Sequence, residues 1–70
     1  MTGKRLIRAL GKKGCEVLRQ QGSHVRVRCD RCQTTVPVHR GKDLPPGTLR
    51  AIERDLEPCL GRKWMADVQG

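Results

Sequence analysis

The stretch HVRVRC at residues 24–29 alternates polar and apolar side chains, and TTVPVH at residues 34–39 repeats the alternation after a short connection. Strict alternation over six residues is typical of a β-strand with one buried face. Pro37 indicates that the second strand lies at a sheet edge, because proline donates no ladder hydrogen bond. The side chains predicted to face the core are Val25, Val27, Cys29, Val36 and Val38.

The two strands are predicted to form an antiparallel hairpin. If Cys29 pairs with Thr34, the valines of the two strands match and His24 lies opposite His39. Directly opposed side chains on one face have Cβ atoms roughly 4.5–5.5 Å apart. This register predicts that the two imidazoles converge on the polar face beside Arg26, whereas a shift of two residues would separate them.

Other elements flank this hairpin on both sides. Residues 4–13 carry apolar side chains at helical spacing, and CEVLRQ at residues 15–20 is a short strand candidate. A second amphipathic helix is predicted to begin at Thr48 and to end at Pro58. The predicted fold class is α+β in the order α-β-β-β-α. Both helices cover one face of a three-stranded antiparallel sheet, and the other face stays open.

Seventy residues predict a single domain. Its core is expected at about 4–56, and its tail at 59–70 is expected to pack Trp64 back on the sheet and to fray at its end. A core of this size supplies only about 3–5 kcal/mol of net stability. We therefore expect a partner, a metal or a covalent clamp to contribute.

Charge and composition restrict the partners. Fifteen Lys and Arg residues against seven acidic residues leave a net charge of +8, which favours polyanions and nucleic acid above all. One Trp and no Phe or Tyr exclude the aromatic platforms on which many single-strand binders stack bases. No long apolar run or secretory signal is present, so we expect a cytoplasmic protein without membrane contact.

Part of the positive charge forms a stripe on the first helix. Arg5, Arg8 and Lys12 recur at helical spacing on its polar side. Such a stripe can follow a phosphate backbone, and the alternative is a solvated face that keeps a small protein in solution.

Several motifs then occur in a familiar order. They are KKG at 12–14, GSH at 22–24 opening a strand, VPVH at 36–39 and GKDLPPGTLRAI at 41–52. With these motifs the sequence resembles the HicA-type (YcfA-like) toxins over about residues 4–56. The resemblance implies a double-stranded-RNA-binding-domain-like fold and ribonuclease activity. It also implies a HicB-type antitoxin as partner, and operator DNA bound only through the antitoxin complex.

The resemblance implies that His24 of the GSH motif is the catalytic residue and that RNA is the substrate. Imidazole has an unperturbed pKa of about 6.5, and positioned acid–base catalysis contributes about 10²–10⁴-fold. His24 can deprotonate the 2′-hydroxyl or protonate the leaving 5′-oxygen, and the sequence does not choose between these roles. An opposed His39 would take the complementary role. The residues predicted to bind RNA are Arg5, Arg8, Lys12, Ser23, Arg26, Arg28 and Lys42.

The cysteines leave several states open. Cys29 and Cys32 have the spacing of a zinc knuckle, and Cys15 and Cys59 are the candidates for the two remaining ligands. A Cys29–Cys32 disulfide is the second alternative. Free thiols are favoured over zinc because neither Cys15 nor Cys59 belongs to a second CxxC, and over the disulfide because a cytoplasmic chain is held reducing, so no cofactor is predicted.

Three function classes follow. The first is a toxin ribonuclease that depends on His24 and needs no metal. The second is a noncatalytic double-stranded nucleic-acid binder that uses the same basic surfaces. The third is an interaction module whose charge serves only an acidic partner protein. Cleavage, salt-sensitive binding without cleavage, and complex formation without RNA affinity distinguish them.

Overall fold

The structure, a computed structural model, describes residues 1–69 as three helices and one sheet. The elements are α1 (Gly3–Lys12), β1 (Glu16–Gln21), β2 (His24–Cys29), β3 (Cys32–Pro37), α2 (Pro46–Leu60) and α3 (Trp64–Gln69). The strands form an antiparallel sheet in the order β1-β2-β3. The predicted α-β-β-β-α order is confirmed, with α3 as an additional helix. Gly70, which the predicted domain and tail include, lies outside the described residues.

The core lies between one sheet face and the apolar sides of the helices. Alternate residues of β2 and β3 point into it, as the sequence pattern predicts. The buried apolar side chains are Leu6, Leu10, Val25, Val27, Cys29, Cys32, Val36, Leu44, Ile52, Leu56, Trp64 and Met65. Because the helices cover only this side, the intervening residues of the strands lie on an open surface.

The turn between β2 and β3 is shorter than predicted. Cys29 pairs with Cys32 instead of Thr34, so the turn holds only two residues. Asp30 adopts a φ of 58° there, a left-handed conformation that aspartate tolerates better than most residues. The register therefore shifts by two residues, and a shift of two leaves each side chain on its predicted face.

The shorter turn places a polar side chain in the core. Thr34 lies opposite Val27, where the predicted register had Val36, and Thr34 is only 1% exposed. Its hydroxyl donates a hydrogen bond of 2.9 Å to Asp55 Oδ2 on α2. A buried hydroxyl without a partner would cost about 1–3 kcal/mol. The bond to Asp55 avoids that cost and ties β3 to α2.

The helix α2 extends beyond both predicted limits. Pro46 takes its first position, where the missing N–H has no intrahelical partner to lose. Pro58 lies inside the helix instead of ending it. The proline removes one backbone hydrogen bond near the end, and the helix closes where the Gly61 amide donates to the Glu57 carbonyl oxygen at 2.8 Å.

The C-terminal segment folds onto the core as a helix. Trp64 is 1% exposed, and its Nε1 donates a hydrogen bond of 3.0 Å to the Glu53 carbonyl oxygen on α2. Met65 is buried beside it. The prediction that Trp64 joins the core is confirmed, and residues 64–69 form a helix that the sequence analysis did not predict.

The four cysteines form two disulfides, Cys15–Cys29 and Cys32–Cys59. The free thiols favoured from the sequence and the alternative Cys29–Cys32 disulfide are therefore both wrong for this structure. The chain before β1 and the last turn of α2 pack against the hairpin tip, and they bring a separate partner to each cysteine of the CxxC motif. Spacing along the sequence carries no information on these contacts, because both depend on how the helices pack on the sheet.

Candidate nucleic-acid interface

The sheet surface opposite the helices, which we call the open face, presents side chains from all three strands. They are Glu16, Arg19 and Gln21 on β1, His24, Arg26 and Arg28 on β2, and Gln33, Thr35 and Pro37 on β3. Three arginines against one glutamate give this face a net positive charge, which favours a polyanion.

His24 begins β2 at one end of the open face, and its side chain is exposed. The turn before it contains Gly22 with a φ of 58°, a left-handed conformation that glycine adopts at low cost. The Ser23 carbonyl oxygen accepts a hydrogen bond of 2.6 Å from the Val38 amide. This bond attaches the turn to the end of β3, so the backbone that carries the imidazole is held by both neighbouring strands.

His39 does not lie where the predicted register places it. Pro37 is the residue opposite His24, and His39 follows two positions later, beyond the end of β3. The His39 carbonyl oxygen accepts a hydrogen bond of 3.0 Å from the Lys42 amide. The predicted pairing of the two histidines is therefore wrong, because the short turn displaces β3 along β2 by two residues.

Ser23 and Lys42, the two predicted phosphate contacts outside the strands, lie near the His24 end of the sheet. Ser23 is half-buried in the turn that leads into β2. Lys42 is exposed in the loop that follows β3. Both residues therefore lie toward the end of the sheet where β2 begins and β3 ends.

Arg26 is held in place by two side chains of β3. Its Nε donates a hydrogen bond of 3.1 Å to Gln33 Oε1, and its Nη1 donates one of 2.9 Å to Thr35 Oγ1. A guanidinium has five N–H donors, so further donors stay available to an anion. Because these bonds already restrict the side chain, binding a phosphate costs Arg26 less conformational entropy than it costs a freely rotating arginine.

Arg28 is engaged differently. Its Nη2 forms an ion pair with Glu16 Oε1 across β1 and β2, and the two side chains are 46% and 56% exposed. Glu16 reaches the open face because a β-bulge between Val17 and Arg19 reverses the alternation of β1. The pair neutralises Arg28, so this arginine is a weaker anion ligand than the sequence suggests.

Arg19 belongs to the open face, although the sequence analysis did not identify it. It is exposed and lies directly opposite Arg26. Like charges opposed on one sheet face repel each other, and an anion bound between them would relieve that repulsion. The position of Arg19 could have been predicted from the GSH motif. A two-residue turn at Gly22 and Ser23 pairs Gln21 with His24, and alternation then places Arg19 beside Arg26.

The predicted basic stripe of α1 lies on a different surface. Arg5, Arg8 and Lys12 line a groove of about 470 Å³, and Asp67 of α3 lies on its other wall. Since α1 packs on the core side of the sheet, its exposed side points away from the open face. Arg5, Arg8 and Lys12 therefore share one surface, as predicted, but this surface does not include His24.

No metal centre or membrane segment is present in the described part of the chain. With its four cysteines engaged in disulfides, the chain over residues 1–69 contains no group of three or more His, Cys, Asp or Glu side chains that could hold a metal ion in this oxidised form. None of the helices within this range is long and apolar enough to cross a bilayer.

Comparison with known proteins identifies a family. The model of the family described as "HicA toxin of bacterial toxin-antitoxin" matches residues 3–57, which include α1, the whole sheet and most of α2. No curated protein and no solved structure matches the chain. The family match confirms the resemblance seen in the sequence motifs, and it leaves α3 outside the matched region.

Proposed function

This chain belongs to the HicA toxin family, and we propose that it acts in its toxin–antitoxin system as an endoribonuclease with His24 as the catalytic residue. The observation that supports this most directly is the exposure of His24 on the net-positive open face. Family membership establishes the role of toxin. The cleavage chemistry and the assignment of His24 are inferred from the site.

RNA supplies the nucleophile for the proposed reaction. The 2′-oxygen attacks the adjacent phosphorus and loses its proton, while the bond from phosphorus to the 5′-oxygen breaks and that oxygen gains a proton. The products are a 2′,3′-cyclic phosphate and a 5′-hydroxyl. An imidazole can perform either proton transfer near neutral pH. Because Pro37 lies opposite His24, we assign one transfer to His24 and the other to water.

The arginines of the open face are suited to the charge that develops in this reaction. The phosphorane formed by attack carries more negative charge than the phosphodiester, and fixed cations stabilise such charge without reorganising. Arg26 lies two residues after His24 on β2, and hydrogen bonds to Gln33 and Thr35 hold its side chain in place. We therefore assign Arg26 the role of the principal phosphate ligand, assisted by Arg19 on the neighbouring strand.

Membership of the family implies an antitoxin partner, and we propose that this antitoxin is of the HicB type and covers the open face. An acidic surface would complement the three arginines there. Covering His24 would block access of RNA directly. In a complex of this kind, contacts to operator DNA come from the antitoxin, so this chain needs no DNA-reading element.

Cleavage assays with purified protein test the proposed function. Wild-type protein should cleave RNA and leave cyclic phosphate ends, whereas His24→Ala should retain its fold but lose cleavage and growth arrest. An RNA with a single 2′-deoxy substitution at the cleavage site should bind without being cut. Undiminished cleavage by His24→Ala, or cleavage at the 2′-deoxy position, would refute the mechanism.

A noncatalytic nucleic-acid binder is the competing function. It is favoured by one observation, the groove lined by Arg5, Arg8 and Lys12 on the side away from His24. Such a protein would bind RNA or DNA with a steep salt dependence and would cut neither. Its affinity would fall in Arg8→Ala and stay unchanged in His24→Ala, which is the reverse of the pattern expected for cleavage by the ribonuclease.

A further inference from the structure

We propose that Cys15, Cys29, Cys32 and Cys59 form a structural zinc site when the protein is reduced, with their four thiolates as the ligands. The site lies at the tip of the β2–β3 hairpin, at the end of β2 remote from His24. The inference does not depend on the ribonuclease function.

The four cysteines lie together at the hairpin tip. Cys29 and Cys32 are direct partners on adjacent strands, and both are buried on the core face, so their Cβ atoms lie about 4.5–5.5 Å apart. Cys15 lies beside Cys29 with a Cα–Cα distance of 4.3 Å, and Cys59 lies beside Cys32 with a distance of 6.1 Å. A tetrahedral site needs four sulfurs at about 2.3 Å from the metal. Four cysteines this close meet that requirement once the sulfur–sulfur bonds are opened.

The local chain geometry is that of a knuckle. Two cysteines separated by two residues are a common half of a structural zinc site, and here a tight turn brings them onto the same side of the hairpin. The other two ligands are Cys15, directly before β1, and Cys59, in the last turn of α2. Zinc would therefore join the sheet to α2 and to the end of α1.

A surface cavity gives access to the cluster. Cys29 and Cys59, which belong to different disulfides, line the same cavity of about 340 Å³. Lys13 and Asp30 also line it, and their opposite charges offset each other. Zinc with four thiolates is a negatively charged centre, and the net charge of +8 on the chain favours it.

A dithiol reductant converts the disulfide-bonded protein to the reduced protein that binds zinc. Each disulfide accepts two electrons and two protons from the reductant, which becomes a disulfide itself, and releases two thiols. Zinc then displaces the four thiol protons and binds the thiolates. Under reducing conditions the metal would link the same elements that the disulfides link in the oxidised protein, which supplies the additional constraint a core of this size needs.

Metal analysis of the full chain tests this proposal. The protein is reduced with dithiothreitol, stripped of metal, and titrated with zinc and, separately, with cobalt. We expect about one zinc ion per chain, the spectrum of tetrahedral cobalt bound to thiolates, and no zinc in the oxidised protein. His24→Ala serves as the matched control and should bind zinc as the wild type does, whether or not it cleaves RNA.

Two substitutions of Cys59 distinguish its role as a zinc ligand from its role as a disulfide partner. Neither Cys59→Ser nor Cys59→His can form the bond to Cys32, but histidine remains a zinc ligand and serine is a poor one. Cys59→His should retain zinc with an altered cobalt spectrum, and Cys59→Ser should bind it at least tenfold more weakly, by about 1.4 kcal/mol. Reduced wild-type protein that binds no zinc while its thiols titrate would overturn the proposal, as would equal zinc affinity in both variants.

Discussion

His24 lies directly opposite Pro37 across β2 and β3. At the position where the predicted register had the His39 imidazole, β3 therefore presents a proline ring, which cannot transfer a proton. His39 lies two residues beyond that position, in the loop. The catalytic role proposed for this face consequently rests on His24 alone.

His24→Ala should lower the rate of RNA cleavage by about 10²–10⁴-fold, because it removes the positioned proton-transfer group. His39→Ala is the matched control and should retain most of the activity, because His39 does not lie opposite His24. Single-turnover cleavage of a labelled RNA measures both. A comparable loss in the two variants would show that the histidines act together despite the register.

Arg26→Ala should weaken RNA binding more than Arg28→Ala does, because Glu16 already neutralises Arg28. Glu16→Gln should strengthen binding by releasing that arginine. The measurement is the affinity for a single-stranded RNA as a function of salt, on a His24→Ala background that prevents cleavage. Each phosphate contact changes the slope of log K against log salt by about 0.7. Weaker binding by Glu16→Gln would contradict this assignment of the arginines.

Gly3→Ala should lower the free energy of unfolding by about 1–3 kcal/mol, as overpacking does elsewhere. A Cβ at this buried position would collide with the Pro37 carbonyl oxygen and would lie 3.2 Å from the Val38 Cα. Gly11→Ala in the same helix is the control: its Cβ would meet nothing within 4 Å, so it should raise stability by about 0.5–1 kcal/mol. Urea denaturation measures both, and a neutral Gly3→Ala would contradict the close approach of α1 to β3.

Trp64→Ala should cost about 3–5 kcal/mol, because it removes the largest fully buried side chain. In a domain of this size such a loss leaves little net stability. Trp64→Phe keeps most of the apolar volume and loses the hydrogen bond to Glu53, so it should cost about 1 kcal/mol. Thermal unfolding monitored by circular dichroism compares them. A mild effect of Trp64→Ala would mean that α3 is dispensable for folding.

A metal chelator should leave RNA cleavage by the oxidised protein unchanged. The proposed reaction uses the 2′-hydroxyl as nucleophile and His24 for proton transfer, and disulfides rather than a metal hold the hairpin tip. Cleavage rates with and without EDTA, at constant ionic strength and without reductant, test this. Inhibition reversed by added metal would contradict a metal-independent mechanism.

The faces of the sheet could be predicted because they depend on a local pattern. In β2 the alternation of valine with histidine and arginine predicts both the limits 24–29 and the open-face position of His24. Arg26 and Arg28 follow from the same period of two. The left-handed conformation at Gly22 was likewise predictable, because glycine in a two-residue turn adopts it at low cost.

Register and contacts between distant residues were not predictable in this way. A hairpin shifted by two residues keeps the same side chains buried, so the apolar pattern is equally consistent with His24 opposite His39 and with His24 opposite Pro37. The hydrogen bond from Thr34 to Asp55 helps to explain why the shorter turn is tolerated, and it joins residues 21 positions apart. The bulge in β1 similarly decides that Glu16 faces Arg28.

The amino-acid sequence by itself determined the order of the first five elements, the buried faces of β2 and β3 and the family, because these depend on periodicity and on short motifs. Only the tertiary structure decided which residue faces His24, which cysteines meet at the hairpin tip, and how the basic residues divide between the open face and the groove beside α3. These relationships join elements far apart in the chain, and the packing of helices on the sheet sets them.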